Sequence, residues 1–469
     1  MSDEQARNPR DRVLARATEN LSKAIGFETI SYEDASNTNA GEFDSFHAFL
    51  EDAYPLVNGH LEKEVVGDAS LLYAWRGTDL DARPVVLAAH IDVVPIEPGT
   101  LGDWTHPPFA GVTADGCIWG RGTMDCKGQL IAIMEAVEAL LAEGYSPERT
   151  IYLAFGEDEE VGGHRGAERI AALLQSREVN PELVVDEGGV LVDLGIPGFR
   201  RPIATVGMVE KGYLTVELRA ETAGGHSSMP PRHTAIGVLA RAILRLEKHP
   251  FPGRVGEATR MTVAHLLPEL PFYLRVPMAN TWLLGAVLKA ASLRINAVNA
   301  MLRTTVATTI IRGGAKDNVL PQEATATVNL RIMPGDSIDR VMSRLNRIIN
   351  DPAVKVRIAG EASDPSRSSA LDHEGFGMLD RTIKDVFPES VTAPYLVLGM
   401  TDARHYSRIS DSVFRFCPIR VSKDDQDLAH GTDERIRLDN FREFIEFYER
   451  LIRNSRPAKD FPVTARSSG

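Results

Sequence analysis

The sequence has few cysteines and no repeated or low-complexity tracts. Its three cysteines, Cys117, Cys126 and Cys417, stand in 469 residues without the paired spacing of a disulfide framework or a zinc finger. We therefore expect reduced thiols. The 38 glycines and 27 prolines are close to the usual content of globular proteins. This composition excludes collagen-like, solenoid and disordered classes.

Long apolar runs and an excess of positive charge are also missing. No stretch approaches the ~18 uninterrupted apolar residues of a membrane span, and the first residues, MSDEQARNPRDR, lack the apolar core of a secretion signal. We therefore expect a cytoplasmic protein. The formal net charge of −13 argues against a nucleic acid as partner, because affinity for phosphates depends on clustered Lys and Arg.

The first part of the chain has the pattern of an α/β domain. Chains of this length usually form more than one domain. Three short apolar runs indicate strands buried on both faces, and helical segments separate them. The predicted strands are Pro84–Ala89, Thr150–Phe155 and Glu182–Val185, and the helices between them are Lys127–Glu143 and Gly166–Leu174. Such alternation places polar residues along the carboxyl edge of one sheet.

From about residue 207 the sequence alternates apolar and polar residues, as in Tyr213–Leu218. Alternation is typical of antiparallel strands with one solvent-facing side. Further strands are predicted at Thr304–Ile311, Ala324–Ile332 and Val354–Ile358, with helices at Thr234–Lys248 and Ser337–Asn350. We predict an α+β domain at 207–362, inserted into a discontinuous first domain made of 1–206 and 363–469.

Metal-ligating residue types follow the predicted strands of the first domain. His90 and Asp92 follow one strand, Glu159 and Glu160 follow another, and Asp125 lies between them in GRGTMDCKG. Each motif alone is weak, since a single His is more often structural and acidic runs are usually solvated loops. Together, at one sheet edge, they form a set of N and O donors that suits Zn, Mn or Co.

Eight motifs in order carry a family resemblance: HIDVVP, WGRGTMDCKG, EDEEVGG, VVDEGG, GGHSSMP, DNVLP, GMTDAR and AHGTDERI. With these motifs the sequence resembles the aminoacylase and carboxypeptidase family of di-zinc metallopeptidases, and most of all its carboxypeptidase S-like branch. The resemblance implies a three-layer zinc-peptidase-like catalytic domain with an inserted ferredoxin-like lid. It also implies hydrolysis of the amide bond of N-acyl amino acids or peptides next to a free carboxylate, by a zinc-activated water.

The resemblance implies a role for each residue of the site. Two Zn²⁺ ions are expected, with Co²⁺ or Mn²⁺ as substitutes. Their ligands would be His90, a bridging Asp125, Glu160, Glu187 or its neighbour Asp186, and His430. Glu159 would be the general base, and Asp92 would orient His90. The peptide bond between Asp125 and Cys126 is expected to be cis.

Substrate recognition is expected from the lid and from GMTDAR. The resemblance implies that His226 polarises the scissile carbonyl, from the same or a partner subunit, and that Asn318 assists. Arg331 and Arg404 would bind a carboxylate through their planar guanidinium groups. The competing interpretation for both arginines is a structural role. The lid would also mediate a homodimer.

Some alternatives remain open from the sequence alone. The apolar segment Phe251–Arg303 is either a helical insert packed on the lid or dimer interface, or a wall that binds acyl chains. The enzyme could run the reverse condensation of a fatty acid with an amino acid, since one site lowers the barrier in both directions. A catalytically silent metal- or peptide-binding relative is a further alternative, but no expected site residue is missing.

Overall fold

A computed structural model describes residues 9–193, 195, 197–292, 294–422 and 428–457. In this part of the chain the helices are α1 (Pro9–Ile25), α2 (Ala40–Ala53), α3 (Pro55–His60), α4 (Lys127–Ala142), α5 (Ala167–Ser176), α6 (Ala235–Lys248), α7 (Glu257–Leu266), α8 (Phe272–Ala279), α9 (Thr281–Ser292), α10 (Asn296–Leu302), α11 (Ile338–Ile349), α12 (Glu374–Val386), α13 (Ala403–Tyr406) and α14 (Leu438–Asn454). None of these described helices is both long and apolar enough to cross a bilayer.

The strands of the same ranges form one large and three smaller sheets. They are β1 (Glu62–Val66), β2 (Ser70–Trp75), β3 (Val85–His90), β4 (Val112–Ala114), β5 (Cys117–Trp119), β6 (Ile151–Gly156), β7 (Leu183–Asp186), β8 (Leu191–Val192), β9 (Ile203–Glu210), β10 (Gly212–Glu221), β11 (Gly225–His226), β12 (Thr305–Gly313), β13 (Val319–Leu320), β14 (Glu323–Ile332), β15 (Val354–Ser363), β16 (Val391–Val397), β17 (Val413–Arg415), β18 (Arg420–Val421) and β19 (Arg435–Arg437).

The large sheet runs β1-β2-β6-β3-β7-β17-β9-β8-β18, with β16 paired to β9. Its centre is parallel: β3 pairs with β6 on one side and β7 on the other, and β7 pairs with β17. Every residue of β3, β6 and β7 is buried, which explains their continuous apolar sequence. Apolar side chains cover both faces of the sheet: α4 and α14 belong to the core of one face, and α5 and α13 to that of the other. This arrangement confirms the predicted three-layer α/β architecture.

The lid is a four-stranded antiparallel sheet in the order β12-β14-β10-β15. Helices α6 and α11 bury their apolar faces against it and form a separate core. The chain order βαββαβ is that of the ferredoxin-like fold, as predicted. Lys211 alone separates β9 of the large sheet from β10 of the lid. The predicted boundary at 207 falls within β9, and the exact domain bounds stay a prediction.

The apolar segment predicted at Phe251–Arg303 contains α7 to α10. Its helices α7 and α8 pack against the large sheet, where Leu270 shares a cluster with Ile203 of β9 and Ala393 of β16. The hydroxyl of Thr262 donates to the carbonyl of Pro394, also in β16. This part of the insert therefore packs mainly on the catalytic sheet, and the expected packing on the lid or a dimer interface stays a prediction.

Candidate active site

The parallel centre of the large sheet brings three strand ends together. His90 is the last residue of β3 and pairs in register with Gly156, the last residue of β6. Glu159 and Glu160 follow β6 in a short 3₁₀ turn, and Glu187 directly follows β7. Since β3 lies between β6 and β7, the strand topology alone places these side chains at one edge.

Asp125 lies between two histidines at this edge. One carboxylate oxygen is 2.9 Å from Nε2 of His90, and the other is 2.9 Å from Nε2 of His430. Glu187 Oε1 is 3.9 Å from His90 Nε2, and Glu160 Oε2 is 3.2 Å from His430 Nε2. Three overlapping groups of possible donors result: His90, Asp125, Cys126 and Glu187; His90, Glu159 and Glu160; and Asp125, Glu160 and His430. Asp125 belongs to the first and to the last of them. Each group offers the N and O atoms that zinc, cobalt and manganese bind.

The charges of this cluster favour bound cations. Burial, and then the charge of Asp125, raise the pKa of both Glu187 and Glu160 above the usual range. Hydrogen bonds to Asp125 and then to Glu160 raise the pKa of His430 to about 10. Glu160 Oε1 is buried and has no hydrogen-bond partner among the described residues. Metal ions between these carboxylates would offset their repulsion and satisfy that oxygen, so the residues fit the expected pair of metals.

Asp186 is the last residue of β7, and Glu187 directly follows it. Glu187 contributes to a donor group, whereas Asp186 belongs to none of those that the described residues form. Asp186 is buried, and burial raises its pKa to about 6. Successive side chains of a strand point to opposite faces, so only one of the two reaches the donors. The geometry favours Glu187.

Asp92 contacts His90 and the turn that carries Glu159 and Glu160. His90 Nδ1 is 2.9 Å from the carbonyl oxygen of Asp92 and 3.3 Å from its carboxylate. The carboxylate accepts the backbone N–H groups of Glu159 and Glu160, both at 3.1 Å, and the hydroxyl of Ser31 at 2.5 Å. The fully buried Asp92 therefore positions a histidine and the following acidic turn together.

Glu159 lies in the same turn and lines the cleft beside the donors. Burial, and then the charge of Glu187, raise its pKa well above the usual range.

The peptide bond between Asp125 and Cys126 is cis, as the resemblance predicted. Sequence reasoning gave no role to Cys126, whose sulfur accepts the backbone N–H of His90 at 3.1 Å.

A buried ion pair that sequence reasoning missed links the loops of Asp125 and His430. Arg121 Nη1 is 2.5 Å from a carboxylate oxygen of Glu434, and Arg121 Nη2 donates to the carbonyl of His430 at 3.0 Å. The other oxygen of Glu434 accepts the backbone N–H groups of Gly122, Met124 and Asp125. Arg121 lies in the motif WGRGTMDCKG and Glu434 in the motif AHGTDERI. Their place in these motifs was the only sequence feature that pointed to a role in the site.

A cleft of about 720 Å³ opens above the donors and is lined by both the large sheet and the lid. Arg404 follows the large sheet's β16, and its Nη2 donates to Glu361 of β15 at 2.7 Å and to the carbonyl of Gly162 at 2.5 Å. Arg404 Nη1 is buried and has no partner among the described residues. Glu361, which sequence reasoning missed, therefore orients Arg404. Nη1 of Arg404 remains available to donate to another acceptor.

Arg331 of β14 also lines this cleft. Its guanidinium lies 4.6 Å from the ring centroid of Tyr213 on the neighbouring strand β10. The side chain of Arg331 has no hydrogen-bond partner among the described residues. The stacked guanidinium keeps its planar set of donors available to a ligand.

His226 and Asn318 lie outside this cleft. His226 belongs to β11, which pairs with β13 in a small ribbon of the lid, and Asn318 directly precedes β13. Both side chains are exposed, and neither lines the cleft of its own chain. The structure therefore does not bring these two predicted residues to the metal-ligating cluster.

The comparisons with known proteins agree with this geometry. Residues 86–454 match the model of peptidase family M20/M25/M40. The chain belongs to this family. It is 41% identical over 439 residues to the probable carboxypeptidase S-like 2 of Dictyostelium discoideum, covering 93% of this chain and 84% of that protein. It is 38% identical over 445 residues to the N-fatty-acyl-amino acid synthase/hydrolase PM20D1 of Homo sapiens, covering 93% and 87%.

The fold has a matching solved structure. The M20 family metallo-carboxypeptidase Sso-CP2 from Sulfolobus solfataricus superposes with a TM-score of 0.70 over 94% of this chain and 99% of that one, at 18% sequence identity. The predicted family and the predicted class of metallopeptidase or amidohydrolase are confirmed. The chain is a metal-dependent hydrolase of the M20 family.

Proposed function

We propose that this enzyme hydrolyses the amide bond of N-acyl amino acids that carry a free carboxylate, with two zinc ions or their cobalt or manganese substitutes. The observation that carries the proposal is the position of Asp125 between two donor groups, at the base of a cleft with available guanidinium donors. Relatives at 38–41% identity bear names of carboxypeptidase and N-fatty-acyl amino acid enzymes, which supports this substrate class.

His90, Asp125 and Glu187 would hold one ion, and Asp125, Glu160 and His430 the other. When bound, such ions polarise a carbonyl and lower the pKa of a water ligand towards ~7. Asp92 keeps His90 and the turn of Glu159 in place, as its hydrogen bonds indicate.

Glu159 is the proposed general base. It lies in the cleft next to the donors, where its carboxylate could take a proton from the attacking water and return it to the leaving amine. Asp186 is not proposed as a ligand, because Glu187 occupies the donor group.

The carboxylate of the substrate would bind Arg331 and Nη1 of Arg404. Arg331 is stacked on Tyr213 without a hydrogen-bond partner in the described chain, and Arg404 Nη1 is a buried donor without an acceptor. A buried unsatisfied donor costs about 1–3 kcal/mol, which a bound carboxylate would recover. Glu361 fixes the orientation of Arg404 for this contact.

We further propose a homodimer in which His226 and Asn318 serve the cleft of the partner subunit. Their exposed positions outside their own cleft support this arrangement. Mixing a His226→Ala variant with a Glu159→Gln variant should restore activity, since a hybrid dimer would contain one complete site. A monomer in sedimentation that is fully active would contradict the arrangement. The cytoplasmic location stays a prediction.

A substrate comparison tests the function. The zinc-loaded protein is assayed with N-acyl amino acids, with the matching amino-acid amides and with dipeptides. An amidated substrate would leave a desolvated guanidinium unpaired, which costs about 2–5 kcal/mol, or roughly a 30-fold to several-thousand-fold loss in kcat/KM. Equal cleavage of acids and amides would refute the carboxylate site, and no turnover of any of these compounds would favour a catalytically silent relative. Synthesis from fatty acid and amino acid is assayed in parallel, since the same site lowers both barriers.

A further inference from the structure

A second cavity adjoins the metal-ligating cluster, and neither Arg331 nor Arg404 lines it. It has a volume of about 280 Å³. Asp125 and Glu187 line both this cavity and the larger cleft of Arg331 and Arg404. The two cavities therefore share two of the carboxylates proposed to hold the metals.

The described residues that line the second cavity are mostly apolar. Among the described residues that line it, only Asp125 and Glu187 are charged. The remaining surface includes Val190, which follows β7, Ile419, which follows β17, and Val421 of β18. β18 pairs with β8 at the edge of the large sheet, so this wall is part of a hydrogen-bonded sheet. A ligand there would gain apolar burial and few hydrogen bonds.

We propose that the second cavity binds the acyl chain of the substrate, while the cleft of Arg331 binds its carboxylate. This inference rests on the proposed function. An N-acyl amino acid has an apolar arm on the carbonyl side of the amide and an anionic arm on the nitrogen side. The two cavities differ in the same way, because one is apolar and the other has guanidinium donors. The scissile bond between the two arms would lie beside Asp125 and Glu187, which line both cavities.

The apolar insert does not serve as this wall. Its described residues line neither cavity, and its helices α7 and α8 cover β9 and β16 instead. Phe272 and Val276 of α8 are exposed at 79% and 45%. These positions place the insert's apolar surface away from the metal-ligating residues, so the interpretation of the segment as an acyl-binding wall lacks structural support.

A chain-length series tests the proposal. N-acyl amino acids with one amino acid and acyl groups from acetyl to dodecanoyl are compared by kcat/KM. Each buried methylene should raise kcat/KM by up to about fourfold, because its transfer is worth ~0.8 kcal/mol, until the cavity is filled. A flat series in an enzyme that cleaves all members would overturn the acyl assignment and leave the proposed function intact, whereas no cleavage of any member would refute the proposed function itself.

Variants distinguish the cavity from the insert. Val421→Trp narrows the cavity, and the ratio of kcat/KM for a long acyl chain to that for acetyl should fall at least tenfold. The matched change Val276→Trp on the exposed face of α8 should leave this ratio unchanged. Val190→Phe, next to β8, also narrows the cavity and should act like Val421→Trp. Inhibition by decanoate is measured on each variant as a binding readout. The proposal would be overturned if only Val276→Trp altered this ratio. It would also be overturned if a cavity variant changed the preference for the amino-acid side chain and left the preference for the acyl chain unchanged.

Discussion

Replacement of Asp92 by Asn should weaken metal binding although Asp92 is not a proposed ligand. The two oxygens of this buried carboxylate accept different backbone N–H groups, those of Glu159 and Glu160, each at 3.1 Å. An amide has only one oxygen, so its NH₂ group must face one of the two N–H donors. One buried donor then loses its acceptor, which costs about 1–3 kcal/mol.

This cost appears as lost metal affinity, because the displaced turn carries Glu160 and because His90 loses the carboxylate 3.3 Å from its Nδ1. We expect zinc affinity to fall about 10- to 100-fold, as supporting residues of metal sites typically contribute. The measurement is competition for zinc with a chromophoric chelator. Asp81→Asn makes the same charge change at an exposed position and should have no effect. Unchanged affinity in Asp92→Asn would refute this account of Asp92.

Three further changes test other parts of the site and fold. Glu159→Gln should lower kcat by about 10² to 10⁴ while metal content stays that of the parent, and near-normal turnover would exclude Glu159 as the base. Glu361→Gln weakens the ion pair that orients Arg404, so KM for acid substrates should rise about fivefold with no change for amides, as a partly exposed pair worth ~1 kcal/mol implies; an unchanged KM for acid substrates would contradict the positioning role of Glu361. Burial lowers the pKa of Lys211 from 10.5 to about 7. Between these two pH values the unfolded chain therefore binds more protons than the folded chain, so the free energy of unfolding of the parent should rise with pH. Urea unfolding of the parent and of Lys211→Met at pH 7 and pH 9 measures this, and equal pH dependence in both proteins would contradict it.

The parts of the site that lie at strand ends could be predicted from the sequence. β3, β6 and β7 are buried on both faces, so each appears as an apolar run, and the residues directly after each run include His90, Glu160 and Glu187. Their convergence follows from parallel pairing, which the alternation with helices predicts. His430 has no such local signal and was predicted from the family resemblance alone.

Contacts between distant segments could not be predicted in this way. β15 extends to Ser363, beyond the predicted end at Ile358. The extension was not predicted, because the small and polar residues of its second half give no strand pattern. Glu361 lies in that extension and meets Arg404 only through the packing of the lid on the large sheet. The second cavity likewise combines residues as distant as Val190 and Val421, whose common position no sequence pattern reveals.

The central claim is that two metal ions at the carboxyl edge of the large sheet are required for hydrolysis. The most direct measurement is elemental analysis of the purified protein together with the activity of the metal-free and reconstituted forms. The account predicts about two equivalents of zinc, cobalt or manganese per chain, loss of activity on chelation and recovery as the second equivalent is added. A metal-free protein with full activity would contradict it.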